Sequence, residues 1–192
     1  IIVIGAGFDP RAFRLKGGRW IEVDEPAIIN LKESQLPSTT SPNPLDRLPI
    51  EFAKDSLSER LQSFASPELT HIVIEGVLMY LTHHQRQQLT QTLQALFPQH
   101  VVYCDLMRKP FFERYSREIH EKIAELGTQF TDLSDTPETL FTTAGYRTLS
   151  QTSIPLRAAQ LGGVDLPPLL VRWFLRTLRN GYCVWQFRYG EL

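Results

Sequence analysis

Two glycines flank Ala6 directly after the aliphatic run 1–4, and an aspartate, Asp24, follows Gly7 at a distance of 17 residues. Gly5 and Gly7 permit backbone conformations that other residues resist, and they let a ligand approach the main chain closely. A carboxylate at the end of a second strand can accept hydrogen bonds from both hydroxyls of a ribose. Glycine turn and acid together describe a nucleoside site at a strand-to-helix junction. Asp24 also has a local use, capping a helix that opens at Pro26, and the two uses are compatible.

Missing features narrow the ligand. The chain has no GxxxxGK[ST], which excludes a phosphate-cradling P-loop. No third glycine completes the dinucleotide fingerprint, because Arg11 and Ala12 stand at the start of the helix. A short turn with a strand-end acid suits a nucleoside whose tail is not a pyrophosphate, and S-adenosylmethionine (SAM) is one such molecule. At this level an NAD(P)-dependent oxidoreductase and a non-catalytic binding module stay open as alternatives.

Such a site needs strands whose carboxyl ends meet. Residues 1–4 have no polar alternation and read as a strand buried on both faces. Asp9 and Pro10 then open a helix with Phe13 and Leu15 on its apolar side. The pattern predicts further strands at 19–24, 50–55, 70–76 and 100–106, with helices from Pro26 to Glu33, after 55, and over 83–97. The Pro- and Ser-rich stretch 36–49 reads as a surface connection. Beyond residue 109 the pattern predicts helices at 110–126, 136–146 and a single one at 167–181, with strands at 146–154 and 182–190. Alternating strands and helices with short links imply a mostly parallel sheet covered by helices.

The segments IGAGFDPRAFRL, WIEVDEP with Lys32 following, AKDSLSERL and IVIEGVLMYL stand in this order. They resemble the leucine carboxyl methyltransferase family, including its bacterial branch similar to tetracenomycin-type polyketide O-methyltransferases. The resemblance runs over essentially the whole chain, and GAGxDxR and EGxLMYL are its most specific parts. It implies an α/β, Rossmann-like class I SAM-dependent methyltransferase with seven strands in the order 3-2-1-4-5-7-6, the seventh antiparallel, and helices on both faces. It further implies that Gly5, Ala6 and Gly7 pass close to the methionyl part of SAM and that Asp24 holds the ribose. Asp55 with Ser56 matches the pair that holds adenine, and Glu75 matches an acid near the cofactor's amino end. Packing alone does not explain Glu75, since a buried, unpaired carboxylate is costly; an ion pair to Arg11 or Arg14 is the competing explanation. Family members also carry an upstream arginine for the cofactor's carboxylate and upstream helices over the site. A chain that opens on a central strand is expected to lack them. The implied methyl acceptor is an oxygen, carboxylate or hydroxyl, of a small molecule or a chain-terminal carboxylate.

With 192 residues and 42% hydrophobic content, residues 1–192 are expected to form one domain. The net charge of −1 argues against a broad electrostatic grip on nucleic acid or an anionic membrane, so neither is expected as a partner. No apolar run approaches the roughly 20 residues of a membrane span. Cys104 and Cys183 lack CxxC spacing and read as core thiols of a reducing, cytoplasmic setting, with no metal site expected. No residue declares itself as a catalytic base. Tyr80 is a candidate pocket wall, His83 and His84 start an exposed helix, and His71 and His120 read as structural or solvated. The aromatic cluster in RWFLRTLRNGYCVWQF reads as core and lid packing rather than a sulfonium cage.

Overall fold

The computed structural model describes residues 1–52, 54–116, 122, 125, 129–131 and 133–191. Strands β1 (Ile2–Ile4), β2 (Trp20–Asp24), β3 (Leu45–Pro49), β4 (Thr70–Ile74), β5 (His100–Met107), β6 (Arg147–Ser153) and β7 (Tyr182–Tyr189) form one sheet in the order β3-β2-β1-β4-β5-β7-β6. Strands β1 to β5 run parallel, and β7 lies antiparallel to both β5 and β6. Order and orientation are those the family resemblance implies.

The continuous apolar runs of the early strands fill both faces of the sheet. On one face Ile2, Ile4, Ile21, Val23, Ile72 and Ile74 pack with Leu89, Leu93 and Leu96 of α4 (His83–Leu96). Thr82 and Gln85 close a reciprocal capping box at the start of that helix. On the other face Val3 and Trp20 pack with Ala12 of α1 (Arg11–Arg14). A buried charge cluster ties the layers together. Lys32, on α2 (Pro26–Gln35), meets Glu22 of β2 at 2.9 Å, and Arg47 of β3 meets the same carboxylate at 3.0 Å. Lys32 also reaches the Ala6 carbonyl at 3.4 Å, so α2 props up the glycine turn from beneath.

Three sequence expectations need correction. The third strand is 45–49, inside the Pro- and Ser-rich stretch, rather than 50–55. Its residues are half-exposed and carry little apolar pattern, and Arg47 fastens this edge through Glu22 and Glu33. After it, the Lys54 and Asp55 N–H groups both donate to the Glu51 carbonyl, the pattern of a turn rather than of a strand. The single helix expected over 167–181 is two, α8 (Pro168–Trp173) and α9 (Arg176–Gly181). Arg179 stitches the break by donating to the Arg172 carbonyl. An additional helix, α7 (Ile154–Gln160), leaves β6 directly, opened by Pro155 and capped by Ser153.

Short helices among the described residues include α3 (Leu57–Leu61), α5 (Lys109–Phe111) and α6 (Thr139–Thr142). After α5 the backbone widens into a π turn at Phe112–Ser116. Most of the helix expected at 110–126 beyond that turn, His120 included, lies outside the described residues. Among the described residues no helix is long and apolar enough to cross a membrane.

Candidate functional site

The strand order reverses at β1, whose neighbours are β2 on one side and β4 on the other, and ligands of open α/β sheets bind at such a switch point. The glycine turn stands there. Its two glycines are needed for different reasons. At Gly5 (φ +69°) an added Cβ would lie 2.2 Å from a Val77 methyl, so the turn after β4 packs against bare backbone. At Gly7 (φ +43°) an added Cβ would meet nothing within 4 Å, because the position faces open space.

Asp24 is bound to that turn. Its Oδ2 accepts the Gly7 N–H at 2.6 Å and its Oδ1 accepts the Glu25 N–H at 2.7 Å. It therefore fixes the glycine turn and the residue before α2 but does not cap that helix, which has no side-chain cap, and each oxygen keeps a lone pair for a further donor. Gly5, Ala6, Gly7 and Asp24 thus form one hydrogen-bonded unit, with the Gly5 and Ala6 N–H groups on the Val23 carbonyl.

Asp55 and Ser56 lie beside this unit, past the end of β3. They line a cavity of about 440 Å³ walled by Ile4, Phe52, Val77 and Leu81. A backbone hydrogen bond from Glu51 and an ion pair with Arg60 hold the Asp55 carboxyl below its ordinary pKa. Ser56 caps α3 by accepting the Glu59 N–H at 3.3 Å. The cavity joins its apolar walls to polar groups on two sides, Lys54, Asp55, Ser56 and Ser58 after β3 and Gln85, Gln88, Gln91 and Thr92 on α4, so it can take a heterocycle with a polar edge.

Glu75 is placed differently. Its side chain is 63% exposed and ion-paired with Arg11, so the cost of burial does not apply to it, and the competing explanation from the sequence is realised. The Arg11–Glu75 pair lines a second, largely apolar cleft of about 640 Å³ on the α1 face of the sheet, with Val73, Tyr103 and Asp105. Tyr80 lines neither cavity. It packs edge-to-face on Phe130, and burial, with the charge of Asp105, raises its phenol pKa.

Asp105 is the residue sequence reasoning missed. It is 3% exposed at the carboxyl end of β5, where it accepts the Gly76 N–H at 2.7 Å and the Tyr182 hydroxyl at 2.8 Å. The clamp fixes the turn that carries Glu75 and ties it to the first residue of β7. Burial first, and Asp105 second, push the Tyr182 phenol far above its ordinary pKa. The available signal was an acid inside HVVYCDL, an otherwise apolar strand next to β4.

The donor set fits SAM. Carboxylates, Asp24 and Asp55, face the glycine turn and the adjoining cavity, where a pyrophosphate would be repelled and hydroxyl or amino donors are accepted. The open space at Gly7 leaves room for a ligand against bare backbone.

No curated protein matches the chain. Among solved structures, magnesium protoporphyrin IX methyltransferase (ChlM) from Synechocystis PCC 6803, crystallised with bound SAH, is 10% identical with a TM-score of 0.58. The match covers 98% of this chain and 73% of that one. Geranyl diphosphate C-methyltransferase from Streptomyces coelicolor A3(2), also in complex with S-adenosyl-L-homocysteine, is 13% identical with a TM-score of 0.61, over 98% of this chain and 68% of that one. N-methyltransferase NodS from Bradyrhizobium japonicum WM9 is 15% identical with a TM-score of 0.58, over 99% and 85%. At these identities the likeness is one of fold: the sheet is that of a class I methyltransferase. The leucine carboxyl methyltransferase family model matches residues 1–94, a span that holds the glycine turn, Asp24, Asp55, Ser56 and Glu75.

Proposed function

We propose that the protein is a SAM-dependent methyltransferase that methylates an oxygen, either of a small molecule or of a chain-terminal carboxylate. The observation that carries the reading is the hydrogen-bonded unit of Gly7 and Asp24 at the switch point, inside the segment matched by the family. SAM, when bound, supplies a methyl group on a sulfonium, already activated for in-line displacement. The chain supplies position. Asp24 accepts the ribose hydroxyls while its other lone pairs keep the turn fixed. Asp55 and Ser56 hold the polar edge of adenine, with its face against Ile4, Val77 and Leu81. Glu75 receives the ammonium of the methionyl part, in competition with Arg11.

The state of the two phenols near the strand ends, Tyr80 and Tyr182, supports an acceptor that needs no base from them. The Tyr80 and Tyr182 phenols are protonated near neutrality, as any phenol is, and burial raises both pKa values further. A carboxylate acceptor needs no base, and a hydroxyl ionised by its own substituents needs little help. The carbon and nitrogen reactions named for the similar structures belong to those proteins.

Calorimetry with S-adenosylhomocysteine (SAH) and with NAD tests the cofactor; SAH should bind and NAD should not. Binding of NAD alone would end the methyltransferase reading. The acceptor atom is tested by product lability. A methyl ester hydrolyses in mild base and an ether does not, whereas a methyl found on nitrogen or carbon would refute the oxygen assignment.

A further inference from the structure

The least ordinary surface of the molecule is the helical cap α7–α9 between β6 and β7. Its inner side is apolar, with Ala159, Val171 and Leu178 closing over Phe111. Its outside is apolar too. Leu161, Leu169, Trp173 and Phe174 are 74%, 68%, 65% and 78% exposed. Such a concentration on a water-facing surface marks an interaction site.

The same stretch, 154–181, carries four arginines, Arg157, Arg172, Arg176 and Arg179, against one acid, Asp165. Among the described residues none of the four pairs with a carboxylate. Arg157 donates to Gln160, Arg179 to Asn180 and the Arg172 carbonyl, and the Arg172 guanidinium lies 5.3 Å from the Trp173 ring centroid. With a net charge of −1 for the whole chain, a positive cap sits on an otherwise acidic molecule.

We propose that this cap docks the protein on an anionic lipid surface. Tryptophan beside phenylalanine and leucine suits the boundary between headgroups and acyl chains, while arginines reach the phosphates alongside. A nucleic acid would leave the exposed leucines in water. A second copy packed symmetrically through the cap would set two positive patches face to face. The even charge of the whole chain is no obstacle, since this contact is local and needs no spanning helix.

Co-sedimentation of the full chain with vesicles of phosphatidylcholine alone, or with phosphatidylglycerol as about a third of the lipid, tests this. The protein should pellet with the anionic vesicles, at least about tenfold more strongly than with the neutral ones, and release as salt rises. Trp173→Ser with Phe174→Ser should abolish binding to both. Arg172→Gln with Arg176→Gln should remove the preference for anionic lipid. Leu31→Ser, an exposed change on α2, should alter neither. Failure to pellet with either vesicle, or binding indifferent to the cap substitutions, would overturn the proposal. So would a dimer in sedimentation velocity that the Trp173 and Phe174 changes dissolve without any lipid binding, since the cap would then be covered by a second copy.

Discussion

Replacing Asp24 with alanine separates what the carboxylate does for the fold from what it does for a ligand. In the folded chain it accepts two main-chain N–H groups, at 2.6 and 2.7 Å. Hydrogen bonds to a charged acceptor contribute about 1.5–3 kcal/mol each. Both donors lie near enough to solvent to find water, so the expected stability loss for Asp24→Ala is about 1–3 kcal/mol in total. Loss of the ribose contacts should weaken SAH by a further 1.5–3 kcal/mol, roughly tenfold to a hundredfold in Kd. The released turn could weaken binding by itself, so the decisive assay is a double-mutant cycle in calorimetry. A SAH analogue lacking the ribose 2′-hydroxyl should bind wild type more weakly than SAH. On Asp24→Ala the two ligands should bind alike. If the analogue loses as much on the variant as on wild type, the carboxylate does not touch the ribose and serves only the turn.

Other perturbations follow from the same contacts. Gly5→Ala drives a Cβ into Val77 at positive φ and should cost several kcal/mol in urea unfolding; Gly7→Ala should cost only about 1 kcal/mol, yet weaken SAH by filling the crevice. Similar effects of the two on stability would contradict the assigned roles. Lys32→Met leaves Glu22 buried with Arg47 alone and should destabilise by about 3 kcal/mol, and no change in urea midpoint would refute a structural part for this cluster. His100 is buried with its ring nitrogens on the Phe97 carbonyl and the Tyr146 hydroxyl, and desolvation lowers its pKa despite the carbonyl. The unfolded chain takes up a proton that the folded ring refuses, so its contribution is full above about pH 6.5 and declines as pH falls toward the lowered folded value. His100→Gln should flatten urea midpoint against pH in that window, and an unchanged slope would count against the argument. Asp105→Asn removes the charge that helps raise Tyr182, so phenolate absorbance should titrate lower than in wild type; an unmoved titration would mean that burial alone sets it.

How much of this was legible in the sequence depended on burial. Strands β1, β2 and most of β5 are buried along their length and β4 on one face, and their aliphatic residues announced them. Strand β3 is an edge whose register comes from Arg47 reaching Glu22 and Glu33, and long-range ion pairs leave no periodicity to read. The glycine turn and Asp24 were legible as a structural unit because the turn's positive φ angles call for glycine and the acid that fastens it ends the next strand. Glu75 was legible as a position but misread as buried, since a strand-end acid looks the same in sequence whether or not it turns to solvent. Asp105 was hidden by its company: an acid in a core strand is explicable only once Gly76 and Tyr182, distant in sequence, are seen to close on it. The cap escaped because PPLLVRWFLRTLRNG has helical composition throughout, and the break at Phe174 follows from tertiary packing of α8 and α9 over Phe111.

The Asp105 clamp also bears on which acceptors the site can serve. A general base needs a pKa near the working pH and a free lone pair aimed at the proton it removes. Asp105 is committed to the Gly76 N–H and the Tyr182 hydroxyl. Tyr182 spends its proton on Asp105 and is held far from ionisation, and Tyr80 is shifted the same way. The groups at the carboxyl end of β5 therefore hold the Glu75–Gly76 turn still rather than move protons. An acceptor arriving already as an anion reacts in such a site through alignment alone. For a carboxylate, the methylation rate should be nearly independent of pH from about 6 to 8, because the acceptor's pKa lies well below that range. A rate rising tenfold per pH unit there would mean that a proton must first leave, and the acceptor would then be a hydroxyl.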